Sequence, residues 1–176
     1  MKKFLLFALL LALTACSTTN QKPDAAGIPK ASKSSLSVSA KSIPNIALTD
    51  IKTGSSLNFS EIRKPIVVTF WASWCTTCRK EFSMWRDKAL ADHVIGINVQ
   101  DAQLNDQLRT DAYNLMKENG TVFPSFVDTD EVLTSHLGLV GLPVTIVVAS
   151  DGSIIDRHDG LMTKQQMLQF IAQTKN

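Results

Sequence analysis

Two cysteines, Cys75 and Cys78, stand three residues apart in the run Trp74-Cys75-Thr76-Thr77-Cys78. At the start of a helix such a pair shares one face, with Cα atoms roughly 5–6 Å apart, a separation a disulfide can span. The bond can then open and close without backbone movement, which is what thiol–disulfide exchange requires. A helix N-terminus, with its unpaired N–H groups and dipole, favours an anion, so Cys75 is expected to be the nucleophilic thiolate. Cys78, a turn deeper, is expected to titrate higher and to resolve the mixed disulfide.

Competing chemistries lack their partners. Covalent haem attachment needs a histidine after the second cysteine, and that position holds Arg79. A zinc site needs two further ligands, and His93, His136 and His158 fall at no ligand spacing. Neither a metal nor another cofactor is therefore expected. A purely structural disulfide closing so short a loop contributes little stability. Asp128 and Asp130 lack the glycine and distal glutamate of a calcium loop, and no phosphate-binding glycine loop is present.

The elements that must hold the pair can be read from the pattern around it. Ile66 to Phe70 is a nearly continuous apolar run, as in a strand covered on both faces. After the cysteines, Phe82, Trp85 and Ala89 recur at helical spacing in a helix from Thr76 to about Ala89. Val94 to Val99 reads as a second buried strand. Leu104, Leu108, Ala112, Leu115 and Met116 make one helix face, stopped by Asn119-Gly120. A short strand over Phe123–Val127 and a short helix over Asp130–Leu137 follow. Val144–Ala149 and Ile154–His158 flank the turn Ser150-Asp151-Gly152-Ser153, a hairpin signal. A last helix opens with Thr163 and Gln166 in capping-box spacing and buries Met167, Phe170 and Ile171. Upstream, Ile46–Leu48 and Leu57–Phe59 suggest an N-terminal hairpin. The alternation predicts an α/β sandwich: a mixed central β-sheet flanked by helices, with that hairpin as an extension.

The chain has 176 residues, enough for one domain with a sizeable core and some further sequence. Residues 1–15 read as a signal peptide, with Lys2 and Lys3 as its charged end and Phe4–Leu13 as its apolar run. That run is shorter than the roughly 20 residues a membrane span takes. Leu13-Thr14-Ala15-Cys16 resembles the lipobox of bacterial lipoproteins, which implies cleavage before Cys16 and lipid attachment to its sulfur. Residues 16–42, rich in serine and lysine and without an aromatic, read as a flexible lipidated tether ahead of a domain over 43–176. Ser17, where an inner-membrane retention signal would have Asp, resembles the outer-membrane pattern. With Cys16 spent on anchoring, Cys75 and Cys78 are the remaining thiols. Apart from Lys2 and Lys3, the remaining 16 basic residues balance 16 acidic ones. No basic run is interleaved with aromatics, so nucleic acid is not an expected partner.

The segment Phe70-Trp71-Ala72-Ser73-Trp74-Cys75-Thr76-Thr77-Cys78-Arg79-Lys80-Glu81 resembles the active-site segment of the TlpA/ResA group of membrane-tethered, thioredoxin-like oxidoreductases. The likeness covers roughly residues 43–175. It extends to Ile43-Pro44-Asn45-Ile46, to Val122-Phe123-Pro124 with Asp128, and to Gly141-Leu142-Pro143-Val144-Thr145. It implies a thioredoxin-like fold and several roles. Pro143 would be a cis-proline facing the cysteines, exposing the Leu142 backbone to pair with an extended substrate. Glu81 would handle the proton of the buried thiol; on residue type alone it reads as an exposed first-turn acid. Trp74 would shield the first sulfur and offer substrate an apolar contact, while Trp71 would be core. Two positions depart from the pattern. Thr69 stands where ordinary thioredoxins carry a buried Asp, and Thr77 where many members have proline.

The expected function is an exported, membrane-anchored thiol–disulfide oxidoreductase, acting on the periplasmic face of a membrane or at the cell surface. The leading reading is a reductase of protein disulfides, re-reduced by a membrane electron donor of the DsbD/CcdA kind and working as a monomer. Cytochrome c maturation and repair of oxidised surface proteins are substrate classes the resemblance implies. A disulfide-donating oxidase of the same fold is the alternative. A peroxidase lacks its expected Thr-x-x-Cys site, and a non-catalytic binding lipoprotein would leave the Cys75 thiol near its ordinary pKa of about 8.5.

Overall fold

The computed structural model describes residues 42–99 and 105–175. The signal segment 1–15, Cys16, the tether up to Lys41 and Leu104 of the expected helix face lie outside the described residues. Strand β3 (Ile66–Trp71), the apolar run preceding the cysteines, is buried at all six positions. It lies in the middle of a seven-stranded sheet of order β2-β1-β5-β4-β3-β6-β7. β4 (Val94–Asn98) runs parallel to it on one side and β6 (Val144–Val148) antiparallel on the other. β5 (Ser125–Val127) continues the parallel pairing from β4, and β7 (Ile154–Asp159) closes the opposite edge against β6. The hairpin of β1 (Ala47–Asp50) and β2 (Ser56–Asn58) joins β5 through β1.

Pairing and alternation assign the sheet's two faces. Trp71, Gly96 and Ser125 share one face, where the Trp71 indole N–H donates to Ser125 Oγ at 3.0 Å. Glycine at 96 is required by close approach: a Cβ there would stand 2.6 Å from the Phe123 ring. Phe82 packs edge-on to Trp71 at 5.0 Å between ring centroids, and Phe123 meets both Phe82 and Trp85 edge-on. These rings tie helix α1 (Thr76–Met84) to the sheet. Arg86 Nε then donates to the Asn119 carbonyl at the end of α3 (Asp106–Glu118), fixing one helix against the next.

Several boundaries differ from expectation. The helix expected to run to Ala89 ends at Met84, and Asp87 caps a separate turn, α2 (Lys88–Ala91). Asp87 competes for the Ala89 N–H, so the chain turns there. Ala91 is buried and Ala89 exposed, reversing the expected helix face. Phe59 is the buried first residue of a 3-10 turn rather than part of the second hairpin strand. Helix α4 begins at Val132 (Val132–Leu137), because Asp130 and Glu131 adopt φ of 63° and 54°. The last helix, α5 (Lys164–Gln173), carries the expected capping box of Thr163 and Gln166.

Candidate active site

β3 delivers the chain to the sheet's C-terminal edge, where Ala72–Trp74 turn it into α1. The Cys75 N–H donates to the Ala72 carbonyl at 3.1 Å, closing that turn. Cys75 is the N-cap of α1, and its sulfur accepts the Cys78 N–H at 3.1 Å. A sulfur here does the work of a capping serine or aspartate, and a thiolate accepts that bond more strongly than a thiol. The two cysteines form a disulfide with Cα atoms 5.3 Å apart. Cys75 is 4% exposed and Cys78 1%. Trp74 stands out from the surface beside them, 58% exposed, whereas Trp71 is wholly buried.

Glu81 is not the exposed first-turn acid that residue type alone suggests. It lies three residues beyond Cys78 on α1 and is 1% exposed. Its Oε1 accepts the Met162 N–H at 2.7 Å, from the segment between β7 and α5. Burial pushes its carboxyl up to about 7, against a smaller lowering by the Met162 bond. A carboxyl titrating there can take and return protons at neutral pH.

The remaining positions around the pair narrow the roles. Thr69 is buried in β3 opposite Thr145 of β6, and their hydroxyls are 3.4 Å apart. This face offers no carboxylate at the position ordinary thioredoxins use. Among the described residues the other buried acid is Asp128. Its oxygens are engaged by the N–H groups of Leu133 and Thr134 and by the Thr134 hydroxyl, so it caps α4. Glu81 is therefore the buried acid on the helix that carries both cysteines. Leu142–Pro143 is a cis bond at the entry to β6, and the Pro143 carbonyl accepts the Gly160 N–H at 2.8 Å.

Among the described residues no cluster of metal-ligating side chains occurs. Gly160 and Met162, two residues apart, thus touch Pro143 and Glu81 respectively, and the sequence gives no signal for either contact. The groove of about 610 Å³ lined by Ile62, Ile66, Ile95 and Phe126 sits where β3 begins, at the opposite end of that strand from the disulfide. It belongs to no reactive group.

The chain matches the Redoxin family over residues 38–170. It is 26% identical over 134 residues to the thiol-disulfide oxidoreductase ResA of Bacillus subtilis, covering 73% of this chain and 71% of that one. It is 34% identical over 99 residues to the thiol:disulfide interchange protein DsbE of Escherichia coli, covering 55% of this chain and half of that one. The crystal structure of StoA from Bacillus subtilis superposes with a TM-score of 0.59 at 23% identity, over 74% of this chain and 98% of that one. The fold is thioredoxin-like.

Proposed function

The chain belongs to the Redoxin family and is a thiol–disulfide oxidoreductase, and on that premise we propose that it is a reductase of protein disulfides held at a membrane by lipid on Cys16. The observation that carries the direction is the buried Glu81 carboxyl, one turn along α1 from Cys78. A dithiol becomes a strong oxidant when its reduced, thiolate form is stabilised. An ionised Glu81 disfavours a thiolate at Cys78, so stabilisation of the reduced pair is confined to Cys75 and the pair gives up its electrons more readily than one without that charge.

The reaction follows from the geometry. The Cys75 thiolate attacks one sulfur of a substrate disulfide, and the other substrate sulfur leaves as a thiolate and takes a proton. Glu81 receives the proton of Cys78, whose sulfur then attacks Cys75. The substrate's second sulfur departs, and the Cys75–Cys78 disulfide forms. Two electrons have passed to the substrate, and a membrane dithiol donor of the DsbD/CcdA kind returns them. Leu142, which lines a small cavity together with Trp74, and the cis-proline Pro143 offer the extended backbone against which a substrate strand pairs. Apocytochrome c and oxidised surface proteins are the substrate classes that the likeness to the TlpA/ResA group suggests for it. The chain ahead of the domain, with its lipobox-like Leu13-Thr14-Ala15-Cys16, supports export and anchoring.

The direction is tested by equilibrating the domain in glutathione or dithiothreitol buffers and trapping free thiols. A potential near or below that of thioredoxin, about −270 mV, is expected. A value near about −120 mV, that of a strong oxidant, overturns the reductase reading.

A further inference from the structure

Arg157 lies on β7, and its guanidinium holds two separate parts of the chain at once. Nη1 donates at 2.7 Å to the carbonyl of Leu137, the last residue of α4, where a helix C-terminus favours a cation. Nε lies 3.2 and 3.1 Å from the two carboxylate oxygens of Asp159, and Nη2 donates to one of them at 2.8 Å. Asp159 is paired with Val144 across the β6–β7 ladder. The next N–H, that of Gly160, donates to the Pro143 carbonyl at 2.8 Å. Leu137 and Pro143 are the two stems of the loop over Gly138–Leu142, so Arg157 closes that loop at its base.

The loop holds itself only at its start. The N–H groups of Gly138 and Leu139 close back on the Ser135 and Thr134 carbonyls of α4. Beyond them, among the described residues, Val140, Gly141 and Leu142 make no backbone hydrogen bond. The N–H and carbonyl of Leu142 are thus open to another backbone, and their place is set by the stems. An ion pair whose carboxylate is 61% exposed adds little to stability, so holding the fold together does not account for the arrangement. We propose that Arg157 is a positioning residue: by tying Leu137 to Asp159 it fixes the loop that presents the Leu142 backbone to an extended substrate. A guanidinium suits this task because its planar fork reaches both stems together, whereas a lysine ammonium is a single point charge. This inference rests on the reading of Leu142 as backbone on which substrate docks.

The test uses the pre-reduced protein with three probes: a disulfide-linked peptide, the same peptide methylated at the backbone nitrogens flanking its cysteine, and hydroxyethyl disulfide. Wild type is expected to prefer the plain peptide to the methylated one. Arg157→Lys should raise KM for the plain peptide about tenfold, the weight of one charge-assisted hydrogen bond, with kcat unchanged. Asp159→Ala, which removes one arm of the clamp, should raise it about threefold. It alters an exposed side chain, so the test does not depend on Arg157→Lys folding. Adding Asp159→Ala to Arg157→Lys should bring no further rise, because both act through one clamp. Rates with hydroxyethyl disulfide should be equal in all the proteins, since it has no backbone to pair. An unchanged peptide KM in both single variants overturns the inference. Equal losses on peptide and hydroxyethyl disulfide, tracking a lowered melting midpoint, also overturn it by making Arg157 a purely structural residue. A wild type that reduces plain and methylated peptides equally removes the docking reading of Leu142 and this inference with it. A preference for the plain peptide that survives in both variants removes only the role of Arg157.

Discussion

The Glu81 carboxyl accepts the backbone N–H of Met162 at 2.7 Å across 81 residues of sequence, joining the helix that carries both cysteines to the segment leading into α5. Two residues earlier, the Gly160 N–H holds the Pro143 carbonyl. One short segment therefore touches both the acid beside Cys78 and the loop on which substrate is proposed to dock. The Met162 bond favours the ionised carboxylate, but burial outweighs it.

That balance gives a pH dependence with a definite sign. Unfolded, the Glu81 carboxyl has its ordinary value of 4.5, and folded it lies at about 7. Between these values the folded state binds more protons, so stability is lost as pH rises through the window. At 1.36 kcal/mol per unit, the loss amounts to about 3 kcal/mol once pH exceeds 7. Glu81→Gln should abolish it. Urea unfolding of the oxidised protein across this range should show wild type losing ground to Glu81→Gln as pH rises; parallel profiles would discard a buried acid of this kind.

Division of labour between the sulfurs can be checked by trapping. Cys78→Ser leaves Cys75 able to attack but nothing to resolve the product, so a mixed disulfide with a substrate peptide should accumulate and be visible by mass spectrometry. Cys75→Ser should form none. Equal trapping by both variants would mean that Cys78 is as reactive as Cys75, contrary to its deeper burial.

The two tryptophans flanking the turn should separate stability from activity. Trp71→Ala removes a wholly buried ring, leaves the Ser125 hydroxyl without its indole donor and should cost about 3–5 kcal/mol in chemical denaturation. Trp74→Ala, at a half-exposed position, should change stability by no more than about 0.5 kcal/mol. Its effect should appear as a raised KM for peptide disulfides. A destabilisation as large as that of Trp71→Ala would place Trp74 in the fold instead of the substrate surface.

Anchoring depends on a single sulfur in the proposed function. Cys16→Ser should release the exported protein from the membrane fraction, with the thiol activity of Cys75 and Cys78 intact in the released material. Membrane retention by that variant would contradict lipid attachment at Cys16.

Much of the strand framework was legible because its signals are local. The run Ile66–Phe70 could be read as a buried central strand, since a strand covered on both faces has no polar alternation to break its apolar pattern. The Thr163–Gln166 box marked the start of α5 for the same reason: both partners lie within one turn. The helix after the cysteines was read too long. Its apolar spacing continues to Ala89, while the stop comes from Asp87 competing for backbone N–H groups, a contest that periodicity does not register. The start of α4 was shifted by two left-handed residues whose types, Asp and Glu, do not announce that conformation.

By itself the sequence determined the reactive pair, because two cysteines at helical spacing beside a buried strand carry their chemistry in their types and separation. The tertiary structure alone decided what surrounds them. Glu81 reads as a surface acid until the segment leading into α5 covers it. Burial and exposure of single side chains depend on elements far away in sequence, and a carboxyl's pKa follows from that burial. Thiol position is local information; the electrostatics and surface that tune it are not.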